Sequence, residues 1–371
     1  MKVNFSLEAV TAKKLFTPLF ATINHSTVLP ILEDVLIENN GVLSFTATDL
    51  ENILRIEQSS SGKEEFKVCL HAKKLRQMLA NSIEPNITFT GDNEKLKIKS
   101  GDFNLSTILE NADNYPKTPM LDETIKIVFD TKDILPFIEK AIPFISNDDL
   151  RPAMTGICFN DWKGHLYITA TDAHRLYYYP IMKTPETFKG ASFIISHKSS
   201  KLLILAFKNK EQVILEYEAK NKNHIRFTSD KTILSSRLIN ARYPDYSKVI
   251  PTDNALTFNL QRKRLIAFLK IADPFTHQST HMLKLEVSKD KVMASGGDID
   301  FSDEFSYSLP LYNPSIEFEK FKFAVNTKFL LQALAVSKDE YVKVNHAMSA
   351  TKAMLLDDCI LLMPLMLNDG M

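Results

Sequence analysis

The chain of 371 residues has only three cysteines, Cys69, Cys158 and Cys359. An odd number, far apart and without metal-ligand spacing, argues against a disulfide scaffold or a cysteine-held zinc. They read as reduced core thiols of a cytoplasmic protein. Ten glycines leave little room for a phosphate-cradling loop, and the Gly-rich nucleotide motifs are missing, so an ATPase is not expected. No apolar run approaches the roughly 18 residues of a membrane-spanning helix. The first residues, Met1-Lys2-Val3-Asn4-Phe5, lack the apolar core and small-residue cleavage site of a signal peptide. Neither charge is in excess: 45 basic residues face 45 acidic ones, for a net charge of zero. A protein that coats nucleic acid with its whole surface would be strongly basic. One that gathers its cations on a single surface is still allowed.

A hydrophobic content of 44% and a charged content of 24% are those of a soluble globular protein. The length exceeds one hydrophobic core, so two or three domains are expected. An internal repeat decides between them. A short apolar strand running into Thr-Asp occurs as Leu43 to Asp49, again as Leu166 to Asp172, and more weakly as Val292 to Asp298. The aspartates Asp49, Asp172 and Asp298 stand 123 and 126 residues apart. An apolar strand precedes each: Asp34 to Glu38, Gly156 to Asn160, Leu283 to Val287. One helical segment opens each unit (Ser6 to Ile23, Thr131 to Ile145, Leu260 to Ala272) and a second lies midway (His71 to Asn81, His197 to Phe207, Asn326 to Val336). Segments with period-two alternation, such as Lys95 to Ile98 and Gln212 to Leu215, lie between them. Three α+β domains follow, at 1–122, 123–253 and 254–371, each with two helices and antiparallel sheets.

The helices carry lysine opposite their apolar stripes. Phe16, Leu19, Phe20 and Ile23 share a face away from Lys14, with Pro18 expected to kink or split that helix. Leu75, Met78 and Leu79 oppose Lys73, and Leu265, Phe268, Leu269 and Ala272 oppose Lys263 and Lys270. Lys132, Lys140, Lys198, Lys201 and Lys328 charge the other three helices. On one helix this is an ordinary solvated face. On six helices in related positions it suggests one positive surface turned toward phosphate. The stretch Thr171-Asp172-Ala173-His174-Arg175-Leu176 reads as a turn whose aspartate accepts from backbone N–H groups two residues on. It would hold His174 and Arg175 at the mouth between two strands.

That stretch, with Arg242-Tyr243-Pro244-Asp245-Tyr246, Leu29-Pro30-Ile31-Leu32, Thr46-Ala47-Thr48-Asp49-Leu50-Glu51 and Leu361-Leu362-Met363-Pro364-Leu365, resembles the bacterial sliding clamp family, the beta subunit of DNA polymerase III. The motifs span all three repeats in order. The resemblance implies a head-to-tail homodimer closing into a ring around duplex DNA, with helices lining the hole and sheets forming an outer wall that carries the compensating acids. It implies no catalysis, no cofactor and no metal. Its partners would be double-stranded DNA contacted without base reading, a second copy of the chain, the replicative polymerase, the clamp loader and other clamp-motif proteins. DNA-facing residues would be Lys14, Lys73, Arg151, Lys198, Lys201, Lys263, Lys270 and Lys328. The family's peptide groove would be lined here by Met154, Thr171, His174, Arg175, Leu176, Pro244, Lys248, Val249, Asn326, Phe329, Leu361, Leu362, Met363, Pro364, Leu365 and Met366. Methionine and leucine give an adaptable apolar floor, with His174 and Arg175 as hydrogen-bonding rim. From pattern alone, Leu361 to Leu367 would be a buried final strand.

Several positions depart from the family pattern. Ala173 replaces the usual glycine and Phe329 a frequent tyrosine. Met366 stands in place of an arginine, and a tail, Asn368 to Met371, follows. The loop at Asn24-His25-Ser26 lacks a DNA-directed arginine, whereas Arg151 keeps a basic residue in the second-domain loop. Other classes fit less well. A hydrolase would pair Asp172 and His174 with Ser196 or Ser235, but no nucleophile elbow is present. A metal site at His277 and His281 lacks the following glutamate. A sequence-specific DNA binder would need a recognition helix, for which Gln261-Arg262-Lys263-Arg264 is the one candidate.

Overall fold

Val3, Phe5 and Leu7 are buried while Asn4, Ser6 and Glu8 face outward, and a period of two makes this stretch a strand rather than the start of a helix. The computed structural model describes residues 2–24, 29–59, 64–121, 124–218, 223–252, 255–298 and 301–367. His25 and Ser26, the tail 368–371 and the expected domain boundaries at 122/123 and 253/254 lie outside the described residues. The first repeat runs β1 (Val3–Glu8), α1 (Ala9–Thr22), β2 (Asp34–Asn39), β3 (Leu43–Thr48), β4 (Asn52–Gln58), β5 (Phe66–His71), α2 (Ala72–Asn81), β6 (Asn86–Gly91), β7 (Lys95–Ser100) and β8 (Phe103–Ile108). The second runs β9 (Thr124–Asp130), α3 (Thr131–Ala141), β10 (Gly156–Trp162), β11 (His165–Thr171), β12 (Arg175–Lys183), β13 (Ser192–Ser196), α4 (His197–Phe207), β14 (Gln212–Glu218), β15 (His224–Ser229) and β16 (Thr232–Arg237). The third runs β17 (Leu256–Gln261), α5 (Arg262–Ala272), β18 (Met282–Val287), β19 (Lys291–Asp298), β20 (Asp303–Pro310), β21 (Phe321–Asn326), α6 (Thr327–Val336), β22 (Tyr341–His346), β23 (Met354–Leu356) and β24 (Ile360–Leu362). One α+β order of strands and helices therefore recurs three times.

Three expectations change. The opening helices of the first and third repeats begin at Ala9 and Arg262, because the residues before them complete β1 and β17. Helix α1 continues past Pro18 to Thr22 without a break, held by an apolar face in which Leu15, Phe16, Leu19 and Phe20 are buried. Asp298 is buried within β19, opposite Asp303 of β20, so the third Thr-Asp counterpart is strand rather than turn.

The sheets explain how the repeats interlock. Strands β1-β6-β7-β8 form a four-stranded sheet, as do β20-β19-β18-β21. The order β5-β2-β3-β4-β16-β15-β14-β9 makes an eight-stranded sheet, joined where β4 of the first repeat pairs with β16 of the second. In the run β10-β11-β12-β24-β23-β22-β17, β12 of the second repeat pairs with β24 of the third. The compact units consequently cut across the repeats. One comprises Met1–Glu139 with Thr184–Asn240, the other Lys140–Lys183 with Ala241–Met371. In the first unit α1 packs against both α2 and α4, and Phe5 stacks on Phe66 and Phe89 beside the Phe16–Phe45 pair. In the second unit α5 packs against α6. Each buried phenylalanine of this kind contributes roughly 1.5–3 kcal/mol. Caps fix where helices start: His71 Nδ1 accepts from Lys73 N–H at 3.2 Å before α2, and Ser196 Oγ from Ser199 N–H at 3.1 Å before α4.

One buried carboxyl in the first unit makes stability depend on pH. Burial, reinforced by Glu110 and Glu33 and offset by Lys74, pushes Asp34 up to about 7. The folded state then binds a proton that the unfolded chain releases near pH 4. The stabilisation is complete below that value and is lost as pH rises through 7, at up to about 1.4 kcal/mol per pH unit. Asp34→Asn is expected to raise the urea midpoint at pH 8 more than at pH 4.5. Equal shifts at both values would mean the carboxyl does not titrate on unfolding.

Candidate functional site

The hairpin joining β11 to β12 organises the site in the second unit. Asp172 Oδ1 accepts from the N–H groups of His174 and Arg175 at 3.0 and 2.9 Å. Thr171 Oγ1 accepts from Ala173 N–H at 3.1 Å and donates to the Arg175 carbonyl at 2.7 Å. The turn forces Ala173 to φ 75°, a left-handed conformation that costs an L-residue roughly 1–2 kcal/mol and that glycine adopts freely. Arg175 leaves this turn pointing inward. Its Nε donates to Asp172 Oδ2 at 2.9 Å, one terminal nitrogen donates to the Pro143 carbonyl at 2.8 Å, and the other donates to Gln332 Oε1 of α6. The guanidinium lies 5.2 Å from the ring centroid of Phe144 and 4.5 Å from that of Phe329. It is only 6% exposed.

Around this buried cation three more segments meet. Asn326 caps α6 by accepting from Phe329 N–H at 3.1 Å, and its Nδ2 donates to the Thr280 carbonyl. The Phe329 ring thereby lies against His174, with centroids 5.9 Å apart. Strand β24 ends at Leu362, paired with Arg175, after which Met363 N–H donates to the His174 carbonyl and Leu365 N–H to that of Ala324, both at 2.8 Å. Met363 and Met366 stand out, 39% and 77% exposed. The segment from Tyr243 to Val249 is tied down by Tyr243 Oη on the Thr169 carbonyl and by Tyr246 Oη on Asn160 Oδ1. Burial pushes the Tyr246 phenol up to about 12. The floor beneath is a cluster of Leu176, Tyr178, Tyr246, Ala353, Leu355 and Leu361, with Trp162, Tyr167, Tyr243 and Ile250 packed on it.

The expected lining therefore separates into two layers. His174, Met363, Met366, Lys248 and Val249 are exposed, and Met154, Pro244, Phe329, Pro364 and Leu365 are half-buried. Thr171, Leu176, Leu361 and Leu362 are buried and support the surface from below. Two side chains are committed elsewhere: Arg175 is a buried strut, not a rim donor, and Asn326 is a helix cap. The final-strand expectation holds as far as Leu362, and Met363 to Met366 emerge from it. Gln332, Pro143 and Phe144 were missed. Gln332 was legible, since it follows Phe329 by three residues on the same helical face.

The first unit contains the same junction with different chemistry. Asp49 Oδ1 accepts from the N–H groups of Glu51 and Asn52, and Leu50 sits at φ 74°. Arg237 N–H donates to the Glu51 carbonyl and Ile239 N–H to that of Ile194, matching Met363 and Leu365 bond for bond. Where the second junction has His174, Arg175, Phe329 and Met363, the first has Glu51, Asn52, Ser199 and Arg237. Those residues satisfy one another. Arg237 pairs with Glu51 at 3.3 Å, and Asn52 Oδ1 accepts from Ser199 and Ser236. The second junction alone presents apolar and aromatic side chains at these positions.

Among the expected DNA-facing residues, Lys14, Lys73, Lys201, Lys263, Lys270 and Lys328 are exposed on their helices. Lys198 is not available: it pairs with Asp49 at 2.6 Å and donates to the Thr22 carbonyl at 2.6 Å. Arg151 is exposed but held by Asp148 at 2.7 Å. The rival chemistries lose their residues. Asp172 binds the backbone N–H of His174, not its ring, and Ser196 serves as the cap of α4. His281 lies 3.2 Å from Asp273, and His277 Nδ1 accepts from Ser279 N–H. Arg262 and Arg264 of the supposed recognition helix donate to the Leu334 carbonyl and to Tyr307 Oη. Among the described residues no helix is long and apolar enough to cross a membrane.

Similarity to known proteins runs the length of the chain. The beta sliding clamp of Chlamydia muridarum is 25% identical over 351 residues, covering 93% of each chain. That of Chlamydia pneumoniae is 23% identical, covering 94% of this chain and 95% of its own. The crystal structure of the DNA polymerase III beta subunit from Thermotoga maritima superposes with a TM-score of 0.88 at 20% identity, covering 99% of this chain and all of that one. Residues 11–119 match the model for the N-terminal domain of the DNA polymerase III beta subunit, and residues 129–245 match the model for its central domain. With both models in order on more than half of the chain, it belongs to the DNA polymerase III beta subunit family.

Proposed function

We propose that the chain is a DNA sliding clamp, a non-catalytic processivity factor working in the cytoplasm. It encircles duplex DNA as a head-to-tail homodimer and tethers the replicative polymerase, the clamp loader and other clamp-motif proteins. Its three repeats, taken as domains 1–122, 123–253 and 254–371, act as equivalent segments, so that two chains make a ring of six. The observation that carries this is the unfinished pair of end sheets. Inside the chain, neighbouring repeats join their strands into wider sheets at β4–β16 and β12–β24. At the two ends a four-stranded sheet stops at β8 and at β20. An open edge is a template for another chain, and two different edges on one molecule give a head-to-tail contact that can close. The lysines of α1, α2 and α4, and of α5 and α6, supply sequence-independent attraction for phosphate, which lets a ring slide.

The groove of the second unit is the tether. Its exposed Met363 and Met366 adapt to several peptide sequences, and its rigid rim is set by the Arg175 strut. The test is titration calorimetry with a clamp-motif peptide. Met363→Ala with Leu365→Ala is expected to weaken binding at least 100-fold while the dimer persists, since two apolar contacts of roughly 1.5–3 kcal/mol each are removed. Unchanged affinity would sink the groove assignment.

A further inference from the structure

We infer that the outer face of the first end sheet is a docking surface for the sugar-phosphate backbone of single-stranded DNA. Strand β7 alternates Lys95, Lys97 and Lys99 outward with Leu96, Ile98 and Ser100 inward. The in-register neighbours of the lysines are Thr90 and Thr88 on β6, and Ile108, Ser106 and Asn104 on β8. No carboxylate stands beside them in the ladder. Two ordinary explanations fail. Lysine guards exposed edges against aggregation, but β7 lies between β6 and β8. Lysine on a sheet also commonly pairs with a neighbouring acid, and elsewhere in this chain it does. Lys320 and Lys322 both reach Glu286, at 2.6 and 3.1 Å, and Lys126 reaches Glu216 at 2.8 Å. The nearby acids Asp92, Glu94 and Asp102 lie in the turns at the two ends of β7 rather than in the ladder, and Asp92 spends Oδ1 on the N–H groups of Glu94 and Lys95.

The row's chemistry selects its occupant. Alternate residues of a strand recur about every 6.8 Å, so three ammonium groups form one straight track for one polyanionic chain. Flanking hydroxyls and a carboxamide are the side chains that, with lysine, make phosphate contacts. The residues of β6, β7 and β8 that share the lysines' face include no aromatic ring, exposed Phe103 being paired with Ser100 on the opposite face, so bases have nothing to stack on there and the contact is with backbone alone. The surface lies outside the helix lysines assigned to duplex DNA and does not depend on that assignment.

The test uses the full-length protein and a fluorescent, covalently closed circle of oligo-dT, which cannot thread a closed ring. Anisotropy at low salt is expected to show binding, with a log–log salt slope near −2 for three phosphates at ~0.7 each. Lys97→Glu with Lys99→Glu should weaken binding at least tenfold, and the Lys→Gln pair by a smaller factor. Lys320→Glu with Lys322→Glu, at lysines already paired with Glu286, should leave it unchanged. An unbound circle, an undiminished affinity in the β7 variants, or an equal loss in the Lys320 and Lys322 variant would overturn the proposal. So would competition by poly-glutamate as effective as that by oligo-dT, which would make the occupant an acidic protein segment.

Discussion

Arg175→Ala is expected to destabilise the second unit by about 3–5 kcal/mol, the range for removing one partner of a buried charge pair. The loss has identifiable parts. Asp172 Oδ2, Gln332 Oε1 and the Pro143 carbonyl lose their shared donor, and the rings of Phe144 and Phe329 lose the cation between them. Arg175→Lys should recover little, because an ammonium cannot serve three acceptors in a plane while stacking on two rings. The chain's single tryptophan, Trp162, packs on the cluster beneath the hairpin, so its fluorescence during urea unfolding follows this unit. A midpoint unmoved by Arg175→Ala would show that the guanidinium is not structural. His174→Ala is the contrasting control: an exposed ring whose removal should leave the midpoint almost unchanged.

The same substitution marks the boundary of what the sequence makes legible. Asp172 as a turn residue could be read from Thr-Asp alone, because that bond pattern is local. The repeat could be read because strand, turn and helix recur at one step. Arg175 could not be placed, since a side chain three residues beyond the aspartate can turn outward or inward. What turns it inward is Gln332 and Pro143, far away in sequence. Lys198 failed for the same reason: on a helical wheel it is an outer lysine, and only the fold brings Asp49 to it. Leu176 and Leu361 were apolar and were assigned to a surface, but the pattern does not distinguish a groove's floor from its foundation. Met363 and Met366 were separable from the buried strand only with the family pattern in mind. Period-two burial likewise marks Val3–Glu8 as a strand once helix and strand are compared residue by residue.

The two junctions show what separates a scaffold from a site. Both have the aspartate turn, the positive φ residue that follows it, the capped helix and the two crossing backbone bonds. Backbone geometry is therefore not what makes a groove. In the first junction Arg237 pairs with Glu51, and Asn52 with Ser199 and Ser236, so an incoming peptide would displace satisfied bonds for no gain. In the second, Met363, Met366 and the Phe329 ring offer surface that water solvates poorly. On the proposed function, the second junction is a groove because of which side chains were placed on a duplicated frame.

Phe103→Asp is expected to convert the dimer into monomers. Phe103 opens β8, the free edge of the first end sheet, and is 55% exposed in the single chain. Beneath it is a cleft of about 660 Å³ lined by Met78, Ile83, Phe103 and Leu105 together with polar residues that include Lys74, Glu84 and Asp102. At the chain's other end Ile271 is 68% exposed on α5, which packs against β20, where Phe268 stacks on Tyr307. Pairing β8 with β20 of a second copy would bring an apolar side chain to the apolar part of this cleft. Phe103→Asp removes that contact and puts a carboxylate into a lining that already holds Glu84 and Asp102 against the single cation Lys74, at roughly 3–4 kcal/mol per interface, or about 100- to 1,000-fold in dissociation constant. The ring has two such contacts, so both fail together. Because Phe103 is exposed before assembly, the unfolding midpoint of the monomer should hardly move, which separates lost assembly from lost folding. Light scattering on serial dilution is the measurement. Two chains for the parent protein and one for Phe103→Asp, with loss of retention on circular DNA, would place the contact at this edge. A variant that stays dimeric would move the contact elsewhere, and a parent that is monomeric throughout would remove the ring and leave the peptide groove to stand alone.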